Sequence, residues 1–408
     1  MASPRRIVVV GGGVAGYSAA AELRARGYDG ALGLVDPSGL PYDRPPLSKG
    51  YLLGTKDAAG LRLAPEAWYT EHGVELHAAR AAALRPAEGA VELDGGRLLA
   101  ADAVVLATGA LPRPLRVPGG DAALTLRTLG DAERLRAALA PGARIAVVGG
   151  GLIGAETASG AAVLGAEVTL IEPLDPPLVP AVGEALARRL HAQHAEHGVR
   201  VLTAVPERIE TGSGGAAHRT YHLTLSDGTA VEADAVVVGI GVVPDTALAA
   251  AAGLAVDDGV LVDAAQRTSN PAVFAAGDAT RLRRPDGTLA RRAEHWEAAV
   301  RSGQAAAAGL LGQAPPEFGA PWFWSDRHGV HVESVGSLAG PGEVLVRRTD
   351  DGVPTAAFRL AEDGRLLGCA AVDGGLLIKA ARRIIDRGTV VDPETLADPG
   401  DDLRRRAR

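Results

Sequence analysis

The sequence predicts an α/β protein with two parallel-sheet nucleotide-binding units followed by a smaller α+β domain. Three features carry that prediction. A β-branched run meets a glycine turn and an Ala-rich helical stretch near the start. The same order of strand, turn, helix and acid begins again at Arg144. After Pro321 the composition shifts to Trp322, Phe323 and Trp324 and then to short alternating strands. The 408 residues exceed what one core usually serves, and 47% apolar content supports a folded chain of two or three domains.

Residues 7–10 form a short buried strand, and Gly11, Gly13 and Gly16 follow at G-x-G-x-x-G spacing ahead of a helix. Such a turn lets the backbone approach a diphosphate and leaves free N–H groups at the positive helix end. A second strand, 31–35, ends on Asp36, about 20 residues past the third glycine, where a carboxylate accepts hydrogen bonds from a ribose. Residues 37–54 are rich in proline, which stiffens the chain and removes donors. This stretch has two readings: a rigid loop placing Arg44 and Lys49 over a ligand at the first turn, or a surface connection with two solvated cations. Lysine is rare, occurring only at Lys49, Lys56 and Lys379, so its presence there merits notice. Residues 103–107 form another buried strand, ending in Thr108 and Gly109.

In the second unit a strand at 144–148 precedes Gly149, Gly151 and Gly154 at the same spacing. Glu156 lies just inside the following helix, and the strand 168–171 leads to Glu172. Chance duplication of strand, turn, helix and terminal acid is improbable, so the expectation is two dinucleotides facing each other. The strand 234–238 and the glycine-proline exit after it close this unit near residue 244. Beyond it come the strand 273–276 and Gly277-Asp278, an aspartate placed to bind a polyol chain, then a long Ala-rich helix expected from Arg292 to Leu311. Residues 392–408 read as a polar, frayed end, with Arg404, Arg405, Arg406 and Arg408 as a basic tail.

Composition excludes other classes. Cys369 is the only cysteine, so there is no internal disulfide, Cys-rich metal site or C-x-x-C pair. A net charge of −7 argues against nucleic-acid binding. No apolar run approaches roughly 18 residues, so no membrane partner is expected, and the early first strand leaves no room for a signal peptide. The expected location is cytoplasmic. His191, His194 and His197 are expected to be solvated, and no metal is expected. His328 and His331 are read as surface residues or as neighbours of a cofactor.

The order of motifs resembles the FAD-dependent ferredoxin reductases of the putidaredoxin reductase and biphenyl dioxygenase reductase type. The specific pieces are 41–49 (PYDRPPLSK), the two glycine turns, Arg127-Thr128-Leu129 before an acidic helix, and 321–326 (PWFWSD). The resemblance implies a glutathione-reductase-like two-dinucleotide fold with two Rossmann-like domains. An FAD-binding domain would comprise 1–112 and 245–320, an NAD-binding domain 113–244, and a C-terminal α+β domain 321–408.

It also implies FAD contacts at Gly11, Gly13, Ala15, Gly16, Asp36, Arg44, Lys49, Ala81, Thr108, Gly109, Arg127, Gly277, Asp278 and Trp296. NAD contacts are implied at Gly149, Gly151, Ile153, Gly154 and Glu172. Lys49, Glu156, Glu294 and Trp324 would surround the reacting rings, with Glu156 paired to Lys49 so that neither charge is buried alone.

The implied activity is NADH:ferredoxin oxidoreductase, in which FAD takes a hydride from NADH and electrons pass singly to a [2Fe-2S] ferredoxin serving a cytochrome P450 or a ring-hydroxylating dioxygenase. The protein would act as a monomer or homodimer. Alternatives are an NADH-dependent rubredoxin or quinone reductase or diaphorase, and a non-turnover NADH-sensing flavoprotein. Because ferredoxins are acidic, a local basic patch is expected, with Arg301, Arg327, Arg382 and Arg383 as candidates. Two departures from the resemblance stand out: no arginine occurs in 173–180 after Glu172, and Arg327 stands where relatives usually have glutamine.

Overall fold

The computed structural model describes residues 4–212 and 220–405. Arg406 and Arg408 of the basic tail lie outside the described residues. The chain divides into two compact units, one of residues 1–45, 57–111 and 242–318, the other of 46–56, 112–241 and 319–408.

The first unit is built on a five-stranded parallel sheet in the order Val273–Ala275, Ala103–Leu106, Arg6–Val10, Ala31–Val35, Val74–His77. Four consecutive residues are buried in each of the strands Arg6–Val10, Ala31–Val35 and Ala103–Leu106, the continuous apolar pattern of a sheet covered on both faces. One cover is the helix Val14–Ala25 packed against the helix Trp296–Leu310, where the small side chains of Ala19, Ala20, Ala306 and Ala307 are fully buried. The second helix starts later than the sequence suggests. His295 is its N-cap and accepts from the Ala298 N–H, so residues 292–294 lie outside it.

The second unit repeats the parallel core as Arg200–Leu202, Glu167–Ile171, Arg144–Val148, Ala235–Val238. It also holds a five-stranded antiparallel sheet in the order Trp322–Arg327, Val330–Gly336, Leu366–Val372, Pro354–Leu360, Glu343–Arg348, which packs against the helix Gly375–Arg387. Residues 46–56, placed by the sequence with the first unit, cluster with the second instead. Leu52 is buried there, close enough that a Cβ built on Gly160 would lie 3.1 Å from its Cδ2.

Two further expectations change. The polar end is not frayed across its described part: Leu396 and Leu403 are buried in the C-terminal core, and Arg347 Nε donates to the Leu396 carbonyl at 2.9 Å. A few apolar anchors hold a segment that composition alone reads as solvated. Two of the three helix histidines are not solvated either, while His197 is exposed as expected. Residues three apart on a helix share a face, and on the helix Glu184–Glu196 His191 and His194 are both buried. His194 Nδ1 lies 2.9 Å from Nε2 of His328, whose ring stacks on His197 at 4.4 Å. The His328 N–H donates to Ser159 Oγ at 2.7 Å. His331 keeps its surface reading, with its ring 2.6 Å from Asp326 Oδ1 and its side chain about 41% exposed. Among the described residues no group of three or more His, Cys, Asp or Glu is arranged to hold a metal, and no helix is long and apolar enough to cross a membrane.

Burial pushes His194 down to about 3 and His328 to about 4 from an ordinary 6.5, with the neighbouring rings and Arg327 acting in the same direction. Both therefore stay neutral when folded and take up protons when unfolded, so stability is full above pH 6.5 and falls on acidification. For the fully buried His194 the loss reaches roughly 2 kcal/mol by pH 5. Chemical denaturation across pH 5–8 should show this slope, and His194→Gln should flatten it. A stability independent of pH in that range would contradict the burial of these rings.

Candidate functional site

The first glycine turn joins the strand Arg6–Val10 to the helix Val14–Ala25. Gly11 has φ +112, and a Cβ there would meet the Ala107 carbonyl at 2.1 Å; one on Gly16 would meet the Gly11 carbonyl at 1.9 Å. Only glycine lets strand and helix close so tightly. The N-cap, Gly13, offers no side-chain acceptor, and Ala15 is buried in the first turn of the helix, so a ligand can take the N–H groups at this helix end. Arg44 covers the turn: a Cβ on Gly13 would lie 2.3 Å from its Nη1. Asp36, buried at the end of its strand, accepts from the Gly12 N–H at 2.6 Å, from the Ser38 N–H at 2.9 Å and from the Ser38 hydroxyl.

The other first-unit residues lie around the same sheet. Ala81 begins the strand Ala81–Arg85. Thr108 Oγ1 donates to the Asp245 carbonyl at 2.7 Å, and Gly109 has φ +74. The Gly277 N–H donates to Ser302 Oγ at 2.8 Å, and the half-buried Asp278 follows it in the short turn Gly277–Ala279. Trp296 Nε1 donates to Asp43 Oδ1 at 2.9 Å, a partner the sequence reading missed although Asp43 stands beside Arg44. Glu294 pairs with Arg292 Nη2 at 2.7 Å.

The second turn has the same form. Gly149 has φ +101, and a Cβ on Gly154 would meet the Gly149 carbonyl at 1.9 Å. Gly151 is the N-cap of the helix Leu152–Val163, again without a side-chain cap, and Ile153 beside it is 42% exposed. Glu172 is buried and accepts from the Gly150 N–H at 2.6 Å and the Leu174 N–H at 2.9 Å. Each carboxylate thus braces its own turn and retains lone-pair capacity for further donors. Arg127 precedes the helix Leu129–Ala138 in this unit, and its N–H donates to Asp131 at 3.1 Å; Thr128 and Asp131 form a capping box.

The third constellation centres on Glu156, inside the helix Leu152–Val163 and only 3% exposed. Lys49 Nζ lies 2.7 Å from Oε2, which also accepts from Ser48 Oγ; Ser325 Oγ donates to Oε1 at 2.7 Å, and the Asp326 N–H points to the same oxygen at 3.4 Å. Donors from two distant segments of the chain thus satisfy a buried charge whose isolation would be costly.

Behind Ser325 stands Arg327, 3% exposed, with Nη2 donating to Ser325 Oγ at 3.1 Å. Burial pulls its guanidinium down to about 10, while Glu156 and Asp326 act in the opposite direction. Arg327 therefore cannot belong to a surface patch, because its cation faces inward toward Glu156. Trp324, one residue before Ser325, stacks on Trp322 at 4.9 Å. Lys49 and Glu156 were legible in the sequence, whereas Ser48 and Ser325 as their partners and the burial of Arg327 were not; the polar run after the tryptophans was the available signal. Cys369 is fully buried in the strand Leu366–Val372, and its thiol is pushed up by burial, so it presents no thiolate.

Comparison with known proteins agrees with this arrangement. The family described as pyridine nucleotide-disulphide oxidoreductase matches residues 5–303, and a reductase C-terminal pattern matches 322–407. The chain is 40% identical over 400 residues to the ferredoxin–NAD(+) reductase component of the anthranilate 1,2-dioxygenase system of Burkholderia cepacia, covering 96% of this chain and 97% of that protein.

Among solved structures it superposes on putidaredoxin reductase in its covalent complex with putidaredoxin, with TM-score 0.91 and 33% identity over 98% of this chain and 97% of that one. It also matches the ferredoxin reductase for the CYP199A2 system from Rhodopseudomonas palustris, with TM-score 0.92 and 32% identity over 99% of this chain and 100% of that one. With two braced glycine turns, the matching core and the matching C-terminal sheet, the chain belongs to the pyridine nucleotide-disulphide oxidoreductase family.

Proposed function

We propose that this protein is an NADH:ferredoxin oxidoreductase that binds FAD at the first glycine turn and NADH at the second, and delivers electrons to a [2Fe-2S] ferredoxin of a cytochrome P450 or ring-hydroxylating dioxygenase system. The observation that carries the reading is the pair of complete turns in a chain whose single cysteine is buried. The relatives named above are ferredoxin reductases of this kind. On this reading residues 1–112 and 245–320 form the FAD domain, 113–244 the NAD domain and 321–408 the C-terminal domain.

The residues present fit both dinucleotides. At each turn the closely packed glycines and uncapped helix end suit a diphosphate, and Asp36 and Glu172 sit where ribose hydroxyls would donate to them. Arg44 supplies a cation at the first turn. Bound FAD supplies the chemistry that converts a two-electron hydride into single electrons.

The protein's share is binding, orientation and field. Lys49 sets a positive charge at the reacting end of the site, and Glu156 fixes the ammonium there through its Oε2. Trp324 is held by its stack on Trp322 and Glu294 by its pair with Arg292, and on this reading both serve the reacting rings. Ala15, Ala81, Thr108, Gly109, Arg127, Gly277, Asp278 and Trp296 complete the FAD contacts, while Gly151 and Ile153 serve the NADH.

The direct test is NADH-driven cytochrome c reduction with and without a [2Fe-2S] ferredoxin. Stimulation of tenfold or more by the ferredoxin is expected. No stimulation, together with efficient quinone reduction, would transfer the assignment to a quinone reductase or diaphorase.

The second turn also sets the nucleotide preference. Glu172 would accept a ribose hydroxyl and repel a 2′-phosphate, and no arginine in 173–180 compensates. NADH should have the higher kcat/KM, and Glu172→Ala should narrow the ratio to NADPH by an order of magnitude. Equal specificity constants in the unaltered protein would contradict this.

A further inference from the structure

Arg327 is an unusual residue to bury. It lies on the strand Trp322–Arg327 at 3% exposure, next to a carboxylate it does not touch. Its guanidinium donates from Nη2 to Ser325 Oγ at 3.1 Å, and Ser325 Oγ is in turn 2.7 Å from Glu156 Oε1. Its positive charge also opposes protonation of His191, His194 and His328, which burial already pushes down.

The direction of this chain of hydrogen bonds follows from chemistry. A guanidinium has only donors, so Ser325 Oγ must accept from Arg327. The hydroxyl has one proton, and with its acceptor side engaged that proton points to Glu156. Glu156 then accepts at both oxygens, from Ser325 on Oε1 and from Lys49 and Ser48 on Oε2. A glutamine at position 327 offers a carbonyl as well as an amide. The Ser325 proton could then turn to the glutamine, leaving Oε1 with only the long Asp326 contact at 3.4 Å.

We propose that Arg327 is a positioning residue that locks the Ser325 proton onto Glu156 and thereby fixes the Lys49 ammonium against the opposite oxygen. The proposal rests on the reading that Lys49 lies at the reacting end of an FAD site. With the lock in place, part of the Glu156 charge is satisfied by Ser325, and Lys49 projects more of its own charge toward the flavin. Without it, Glu156 leans more heavily on Lys49 and Ser48, and the field that favours reduction weakens.

The test uses the full-length, FAD-loaded protein in four variants: Arg327→Gln, Arg327→Lys, Ser325→Ala and the double Ser325→Ala/Arg327→Gln. The readouts are the midpoint potential of the bound flavin and the single-turnover rate of its reduction by NADH. Arg327→Gln and Ser325→Ala should each lower the potential and slow reduction about three- to tenfold, whereas Arg327→Lys, still a donor-only cation, should recover most of both. The double variant should lose less than the two single losses combined, because both act through one hydroxyl.

An unchanged potential in Arg327→Gln, equal behaviour of the Lys and Gln variants, or fully additive losses would overturn the proposal. If Arg327→Gln does not fold, the Lys and Ala variants still decide it: the first must leave the potential in place and the second must lower it. A cofactor-free readout separates this proposal from the functional reading. Melting temperatures of the unloaded chain should show the same less-than-additive pattern even if the unaltered protein proves to carry no FAD, an outcome that would sink the functional reading alone.

Discussion

One buried carboxylate ties the second unit together. Glu156 sits inside the helix that follows the second glycine turn, yet its donors come from elsewhere: Ser48 and Lys49 from the proline-rich segment, and Ser325 from the C-terminal sheet. A bare carboxylate at 3% exposure would cost several kcal/mol. The helix, the segment and the sheet must therefore assemble together, and this explains why residues 46–56 cluster with the second unit although the chain around them belongs to the first. The interaction that satisfies the charge also fixes a lysine in space, so packing and the expected chemistry share one set of atoms.

The family bears a name that includes disulphide chemistry, and the structure shows why that part does not carry over. A thiol relay needs an accessible, ionisable cysteine pair. The single cysteine is enclosed in a strand of the C-terminal sheet, and position 48, in the proline-rich loop after the first unit's second strand, holds a serine that donates to Glu156. A flavin bound in such a chain has no thiol to reduce, which leaves direct transfer to a carrier as the outlet.

Much of the fold was legible because its signals are local. A β-branched run, a glycine turn, a helix and a terminal acid lie within about forty residues, and both copies folded as read, whereas the bracing of Gly12 and Gly150 by those acids emerged only from the structure. The histidine spacing was also local and was partly misread: all three were expected to be solvated, yet His191 and His194 share a buried helix face while His197 is exposed.

What was not legible is long-range. Nothing near Arg327 in sequence announces that a cation there will be buried behind Ser325, and composition placed it on the surface. Nothing near Leu396 or Leu403 says that a polar tail will dock on the C-terminal core. These residues owe their environments to segments more than a hundred positions away, or to two anchors in an otherwise solvated stretch, and neither leaves a periodic trace.

The central claim is that the Lys49–Glu156 pair is a structural tie rather than an incidental surface contact. A double-mutant cycle on the full chain, with Lys49→Met, Glu156→Gln and both together followed by chemical denaturation, measures it directly. Each single change should cost about 3 kcal/mol or more, and the double should cost less than their sum by more than about 1.5 kcal/mol, since removing both partners leaves no orphaned charge. Small single effects that add to within about 0.5 kcal/mol would place the pair among ordinary surface ion pairs and contradict the account.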